Sequence, residues 1–461
     1  MPKYRLLCTI AALHSTLLAF QQPVRITDRK LIEAFGIARS DILDLRAGES
    51  VAVSAEAGPA GTPEFDTYIY SDRKVLLARD SEDVVSEKFE WRTPMAQRVY
   101  VLARNVGEFA GTVVIEIRTA SGSISGARSA EPETAVVNVY YATNRIPRSN
   151  SSEPYGTEPA PDGMVQFGLC RVSIPRDHKM GELEGPSIWK LEFRPNPGKH
   201  VVLSGPPLTA SEQEFFATLK QKVGSSAQKQ ALVFLHGFNT TFTGAALRTA
   251  QIAYDLGFDG PAIFYSWPSH GDLSPLGYNS DGRNADLTVA PFKQFLQQVS
   301  ERTGARTIHL IAHSMGGRIM VRALSEMAAV NAAPRFHRVI LMAPDIDAAL
   351  FRQLATQMES RVDEITLYAS SRDLALKASN LYAGYARAGQ GGDKVVLVSG
   401  VTTIDASVVD TSLLGALHQY YADSRTILSD LFQLMQERPP GERFGLRRVQ
   451  RNGLPYWIFR P

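Results

Sequence analysis

The sequence predicts an α/β fold, a mostly parallel sheet with helices on both faces, preceded by a small all-β sandwich. Three observations predict it. From residue 231 onward, short apolar runs alternate with amphipathic stretches, the rhythm of strands joined by crossover helices. At residues 307–328 a buried-strand run passes through Ala312-His313-Ser314-Met315-Gly316 into an amphipathic helix. Residues 31–119 instead carry short strand-like runs broken by Gly, Pro and Asp.

The bulk properties bound the answer before any motif does. A chain of 461 residues is expected to hold two or three domains. Its 44% hydrophobic and 21% charged content is that of a globular protein with a sizeable core. A net charge of +2 gives no reason to expect a nucleic-acid partner. Cys8 and Cys170 cannot make a disulfide framework, and no His-Glu-x-x-His spacing occurs among the nine histidines. No metal and no cofactor is therefore expected.

Taken in order, residues 1–22 read as an export signal or N-terminal anchor. Pro2-Lys3-Tyr4-Arg5 is basic, and residues 6–20 are mostly apolar but interrupted by Thr9, His14, Ser15 and Thr16. That run is short of the roughly 20 apolar residues of a membrane span. An exported, periplasmic or secreted location is the expectation.

Residues 31–119 form the sandwich. Residues 50–55, 98–103 and 111–117 alternate as half-buried strands do, and Phe65-Asp66-Thr67-Tyr68-Ile69-Tyr70 is a further aromatic-rich strand. The order of Phe65-Asp66-Thr67-Tyr68, an aspartate-bearing turn at 80–83 and Tyr100-Val101-Leu102-Ala103 resembles the bacterial pre-peptidase C-terminal β-sandwich. Such modules accompany exported enzymes, and the resemblance implies a possible envelope contact for this domain. Asp66, Asp72, Asp80 and Asp83 read as solvated turn residues before they read as calcium ligands. Residues 120–134, rich in Ser, Gly, Ala and Glu, are expected to be a linker.

The α/β domain is expected over 135–437, followed by a basic, aromatic tail at 438–461 that either packs as a final strand or stays frayed. Its entry strand is 136–141, and 147–163 reads as a mobile polar loop. Residues 167–175 return to strand and 211–223 to helix. Strands are then expected at 231–235, 261–267, 307–311, 338–343, 364–369 and 394–398. Helices are expected at 245–256, 285–303, after Ser314 and at 348–358. Reaction sites in such sheets lie at the carboxyl ends of the strands.

The Ser314 turn has strand before it and helix after it, the context a nucleophile elbow requires. Small residues at 312 and 316 let the two backbones approach, and alanine at 312 still fits. His236-Gly237-Phe238-Asn239 follows the 231–235 strand, where a glycine turn lets a backbone N–H face a substrate carbonyl. The amides of Phe238 and Met315 are the candidate oxyanion donors. His236, Gly237, Asn239 and Trp267 are expected to line the pocket.

The base belongs late in the chain, and His418 is the only histidine after His337. His270 is held in reserve, and His309 reads as a core residue. For the acid, Asp373 occupies the position after the 364–369 strand, with Asp345 as runner-up and Asp347 and Asp405 also at strand ends. Each could instead cap a helix.

His236-Gly237-Phe238-Asn239, Ser266-Trp267-Pro268-Ser269, Ala312-His313-Ser314-Met315-Gly316 and Ala343-Pro344-Asp345-Ile346-Asp347 together resemble the bacterial α/β-hydrolase family of unknown function. Tyr141-Ala142-Thr143-Asn144-Arg145 and Val172-Ser173-Ile174-Pro175 add to the resemblance, which covers about 136–424. It implies the α/β-hydrolase fold and a triad of Ser314, Asp373 and His418, and it implies no particular substrate. The expected function is hydrolysis of a small-molecule or lipid-like ester through an acyl-enzyme. The rival expectation is an exported envelope-binding protein that keeps the fold with little turnover.

Overall fold

A computed structural model describes residues 24–32, 37–40, 43–46, 49–56, 65–71, 76–80, 88–93, 96–105, 111–118, 134–149, 151, 153–175, 178, 180, 183–184, 196–270, 274–330, 333–372, 376, 385–409 and 425–460. The chain divides into two compact units, Met1–Glu131 and Pro132–Pro461.

The smaller unit is an antiparallel sandwich. Its described strands are β1 (Val24–Ile32), β2 (Ile37–Arg39), β3 (Leu43–Leu45), β4 (Ser50–Glu56), β5 (Phe65–Ser71), β6 (Leu76–Asp80), β7 (Lys88–Arg92), β8 (Gln97–Asn105) and β9 (Gly111–Arg118). One sheet runs β1-β9-β4-β7 and the other β2-β8-β5-β6, with β3 also paired to β8. The alternation read in the sequence has a physical outlet. Val51, Val53, Val113, Ile115 and Ile117 of the first sheet meet Leu43, Leu45, Ile69, Val99, Val101 and Ala103 of the second. The sheet begins earlier than residue 31, because Val24 already pairs with Arg118. Residues 1–22, 120–133, Asp72 and Asp83 lie outside the described residues, as do the side chains of Asp66 and Asp80.

The larger unit opens with β10 (Thr134–Thr143), β11 (Arg145–Pro147), β12 (Tyr155–Pro159), β13 (Gln166–Pro175), β14 (Val202–Leu203) and β15 (Leu208–Ala210). There follow α1 (Glu212–Ser225), β16 (Gln230–Leu235), α2 (Phe242–Asp255), β17 (Ala262–Ser266), α3 (Pro275–Arg302), β18 (Thr307–His313) and α4 (Met315–Ala328). The unit closes with β19 (Phe336–Met342), α5 (Ala348–Met358), β20 (Val362–Ala369), β21 (Val401–Asp405), α6 (Arg425–Met435), β22 (Leu446–Arg451) and β23 (Leu454–Phe459). The strands form one sheet in the order β14-β13-β10-β17-β16-β18-β19-β20-β21-β23-β22, with β15 on β13. Every neighbouring pair from β10 to β23 is parallel. From β16 the chain steps back to β17 and then crosses over to β18, so the strand order reverses between β16 and β18. That reversal opens a crevice at their carboxyl ends.

Both faces are covered, for reasons visible in register. Ala142, Val233, Leu235, Leu310, Ala312, Leu341 and Leu367 face one way and pack against apolar residues of α1, α3, α4 and α5. Tyr141, Phe264, Phe234, Ile311 and Ile340 are register neighbours across five strands and face the other way. Phe242 of α2 packs edge-on to Tyr141 at 4.9 Å. On the same face Tyr368 donates to Asp430 of α6, and Asp430 also takes Arg443 Nη1 at 3.0 Å in a fully buried ion pair.

Four sequence expectations are corrected. The 438–461 tail is a hairpin of the main sheet, with Asn452 and Gly453 at positive φ in its two-residue turn and Trp457 paired with Ile404. The polar excursion at 147–163 is tied down by the β11–β12 pairing and by buried Tyr155, whose hydroxyl lies 3.0 Å from that of Tyr141. The helix expected from 285 begins at Pro275, because Ser274 caps it through Gly277 N at 3.1 Å and proline suits the first turn. The strand expected at 394–398 is instead 401–405. There Asp405 accepts the Gly392 amide at 2.8 Å and holds the preceding segment in a turn.

Candidate active site

Ser314 sits where β18 ends and α4 begins, at φ 52° and ψ −122°. An L-residue held there stores roughly 1–3 kcal/mol of strain, tolerated only where the surroundings over-determine it. They do: Ser314 N donates to Met342 O at 2.9 Å, and Ser314 O accepts from Gly317 N at 2.9 Å and Asp345 N at 3.0 Å. Its hydroxyl does not cap α4, although it stands at the capping position.

Glycines set how closely this elbow meets its neighbours. A Cβ on Gly316 would lie 2.4 Å from His236 O, and one on Gly317 would lie 2.7 Å from Pro344 Cβ. A Cβ on Gly237 would lie 2.8 Å from Ser314 Cβ. The loops after β16, β18 and β19 therefore pack backbone against backbone, and the turn 236–240 lies against the serine.

The amides of that turn matter most. Among the described residues Phe238 N–H donates no hydrogen bond. Met315 N–H opens α4, where the first turn has no intrahelical acceptor, and it too donates none among them. Met315 follows Ser314 directly, and Phe238 follows Gly237, whose added Cβ would lie 2.8 Å from Ser314 Cβ. Phe238 packs its ring on Tyr278 at 5.8 Å, and Asn239 turns the chain at φ 53°.

His236 holds the turn. Its Nδ1 donates to Gly237 O at 2.9 Å, leaving Nε2 to accept from Trp267 N at 3.1 Å. Burial, with the Arg145 charge nearby, lowers its pKa well below the usual histidine value, so the ring is neutral. Trp267, expected on the pocket wall, is instead fully buried behind His236. It stacks on that ring at 5.3 Å and donates Nε1–H to His236 O at 2.7 Å. A cavity of about 180 Å³ lies beside the turn, bounded by His236, Gly237, Asn239, His313 and Arg248.

The candidate acids separate. Asp345 is buried, with Oδ1 3.0 Å from Arg387 Nε and Oδ2 accepting from Tyr278 Oη at 2.7 Å. Asp347 caps α5 through Leu350 N at 2.7 Å. Asp405 takes Gly392 N, Ser407 N at 3.0 Å and the Ser407 hydroxyl. Asp373 and His418 lie outside the described residues. His270, the reserve base, gives its amide to Asp281 Oδ1 at 2.7 Å, and no described contact joins it to Ser314. His309 is a core residue, edge-on to Phe258, as expected.

Arg145 ends the 141–145 motif, where the sequence gives it no role. Here its guanidinium lies beneath the 236–240 turn. Tyr278, Arg248 and Arg387 were likewise missed, and nothing local in the sequence marks them. Among the described residues no group of His, Cys, Asp and Glu could hold a metal ion.

The comparisons agree with this architecture. Residues 211–438 match the family model described as "Alpha/beta hydrolase of unknown function (DUF900)". No curated protein matches. Among solved structures, a lipase-esterase related protein from Clostridium acetobutylicum is 10% identical over 45% of this chain and 93% of its own, with TM-score 0.24. Alpha/beta hydrolase domain-containing protein 10 from mouse is 15% identical over 45% and 88%, with TM-score 0.25. A periplasmic inhibitor of g-type lysozyme from Aeromonas hydrophila is 8% identical over 22% and 93%, with TM-score 0.16. The strand order gives the larger unit an α/β-hydrolase fold, and its residues 211–438 are similar to the α/β-hydrolase family of unknown function.

Proposed function

We propose that this protein is a serine hydrolase that cleaves an ester or related acyl bond. The observation that carries the reading is Ser314, strained at the elbow with its hydroxyl unused as a cap, beside two backbone N–H groups that lack acceptors among the described residues. In the proposed reaction Ser314 Oγ attacks the carbonyl carbon while His418 takes its proton. The carbonyl oxygen becomes an anion and accepts from Phe238 N–H and Met315 N–H. The C–O bond to the leaving group then breaks, and His418 returns the proton to the departing alcohol. Water, deprotonated by His418, attacks the acyl-enzyme and releases the acid and Ser314.

Asp373 is the proposed partner of His418. Asp345, Asp347 and Asp405 each already serve the groups described above, which supports the choice. A small-molecule or lipid-like ester is the proposed substrate class, taken from the reaction type alone. The test is labelling by a fluorophosphonate, read by intact mass and peptide mapping, alongside p-nitrophenyl esters of graded chain length. Labelling at Ser314 that vanishes in Ser314→Ala and in His418→Ala is the expected result. Labelling elsewhere, or labelling indifferent to His418, would sink the reading.

A further inference from the structure

Arg145 is an anomaly that asks for a reason. Its side chain is 1% exposed, and it is one of the largest fully buried side chains of the described residues. Its Nε donates to Ser266 Oγ at 2.9 Å, and Nη1 donates to Gly156 O at 2.9 Å and Ser269 O at 3.3 Å. Its Nη2 donates to Thr240 O at 2.7 Å and faces His236 Nε2 at 3.4 Å. Every one of these acceptors is neutral. Among the described residues no carboxylate stands within ion-pair distance of the guanidinium. Removing a cation from water without an adjacent anion costs several kcal/mol even where hydrogen bonds are complete.

Its place gives the reason. Thr240 and His236 are the two ends of the turn that carries Gly237 and Phe238, so the guanidinium spans that turn from beneath. His236 is itself fixed as an acceptor toward Arg145 by its Nδ1 bond to Gly237 O. The wet face of the turn is where negative charge would develop during acyl transfer, and the dry face holds a fixed positive charge. An apolar side chain there would leave the carbonyls of Gly156, Ser269 and Thr240 without these donors. The fork serves them, and its charge adds a field across the turn.

We propose that Arg145 is a positioning residue of the oxyanion turn. It fixes the direction of Phe238 N–H through Thr240 and His236, and its charge stabilises the anion formed when Ser314 is acylated. The inference rests on the serine-hydrolase reading. Arg145 does not touch the reacting atoms and acts through the turn. Burial lowers the pKa of the guanidinium to about 9, which leaves it charged at neutral pH, and Glu153 and Asp281 oppose that fall. Ser269 links Arg145 and Asp281 by hydrogen bonds, its carbonyl accepting from Arg145 and its hydroxyl donating to Asp281 at 2.6 Å.

The test is the kinetics of fluorophosphonate labelling of Ser314 in the full chain, resolved into probe affinity and inactivation rate. Arg145→Gln removes the charge, and Arg145→Lys keeps it but loses the fork. Loss of one oxyanion donor lowers turnover about 10²–10³-fold, which sets the scale. Arg145→Gln is expected to slow inactivation about 10²-fold with probe affinity unchanged, and Arg145→Lys is expected to recover about tenfold of that. Affinity for an alkyl boronic acid, which mimics the tetrahedral anion, should fall in parallel while KM for a p-nitrophenyl ester holds.

A folded Arg145→Gln protein that labels at the wild-type rate overturns the proposal. So do equal losses in the two variants. If Arg145→Gln does not fold, Arg145→Lys decides alone. A reduced inactivation rate at constant affinity supports the proposal, and an unchanged rate overturns it. Failure of the wild type to label at Ser314 overturns the hydrolase reading and this inference with it.

Discussion

Gly237→Ala isolates how the turn and the serine are coupled. The backbone at 237 has no positive φ, so an alanine there meets no conformational penalty of its own. What it meets is mass: its Cβ would lie 2.8 Å from Ser314 Cβ, 2.9 Å from His313 Nδ1 and 3.1 Å from His313 O. Ordinary contact begins near 3.4 Å. Something must therefore move by more than half an ångström. Ser314 cannot, because Met342 O, Gly317 N and Asp345 N hold its backbone on both sides. The turn yields, and Phe238 N–H swings with it. A misplacement of about 1 Å costs about 10²-fold in rate, or close to 2.7 kcal/mol of transition-state stabilisation. Overpacking costs about 1–3 kcal/mol of stability, seen as a Tm lower by several degrees. Gly244→Ala is the control, since its Cβ meets only Thr241 Oγ1 at 3.4 Å and Thr240 Cγ2 at 3.6 Å. It should be neutral or slightly stabilising. The assay is p-nitrophenyl ester turnover with thermal melts on the same samples. Turnover of Gly237→Ala within threefold of wild type, or equal damage from Gly244→Ala, refutes the steric argument.

Other outcomes follow from the same geometry. His178 is clamped by Asp255 at 2.9 Å and Glu184 at 2.8 Å. Burial alone would lower its pKa, but the two carboxylates raise it from 6.5 to about 9. The folded protein thus binds this proton more tightly than the unfolded chain, so the stabilisation is whole below pH 6.5 and fades between 6.5 and 9. At 1.36 kcal/mol per unit it amounts to at most about 3 kcal/mol. Urea melts of wild type and His178→Asn at pH 6 and pH 9 should therefore converge at the higher pH, and parallel curves would refute this. Arg443→Met leaves Asp430 buried without its partner and should cost about 3–5 kcal/mol in urea denaturation. Asp373→Asn should lower turnover by about 10⁴-fold with little change in Tm. Asp345→Asn should instead lower Tm, because it strands Arg387, and the opposite pattern would make Asp345 the acid.

How much of this was legible in the chain depends on the range of the interactions. The elbow was legible because strand, turn, serine and helix are contiguous, and sterics alone demand small residues there. The alternation of β and α fixed the parallel sheet for the same reason. The C-terminal hairpin was legible in part: a final strand was one of two expectations for the tail, and Asn452-Gly453 between two β-rich runs is the turn signal that makes it a hairpin. Arg145 was not legible. Its acceptors stand at positions 156, 236, 240, 266 and 269, so its role exists only once three distant segments have converged on it. The contacts of Asp345 were not legible for the same reason, since its partners Arg387 and Tyr278 lie 42 and 67 residues away on either side.

The site is therefore better described as a packing arrangement than as a set of side chains. Reversal of strand order between β16 and β18 brings two loop starts together at one edge of the crevice. Glycines at 237, 316 and 317 let those backbones touch beside Ser314, which holds its strained conformation there. The same crowding explains why alanine serves at 312. Ala312 lies within the strand, in register with Leu235 and Leu341, and its methyl points into the helix-facing core where a small apolar group is wanted. Position 316 has no such outlet, because a Cβ there would strike the backbone oxygens of Leu235 and His236. The two small positions of the elbow are thus small for different reasons, and only the second is tied to the direction in which the serine points.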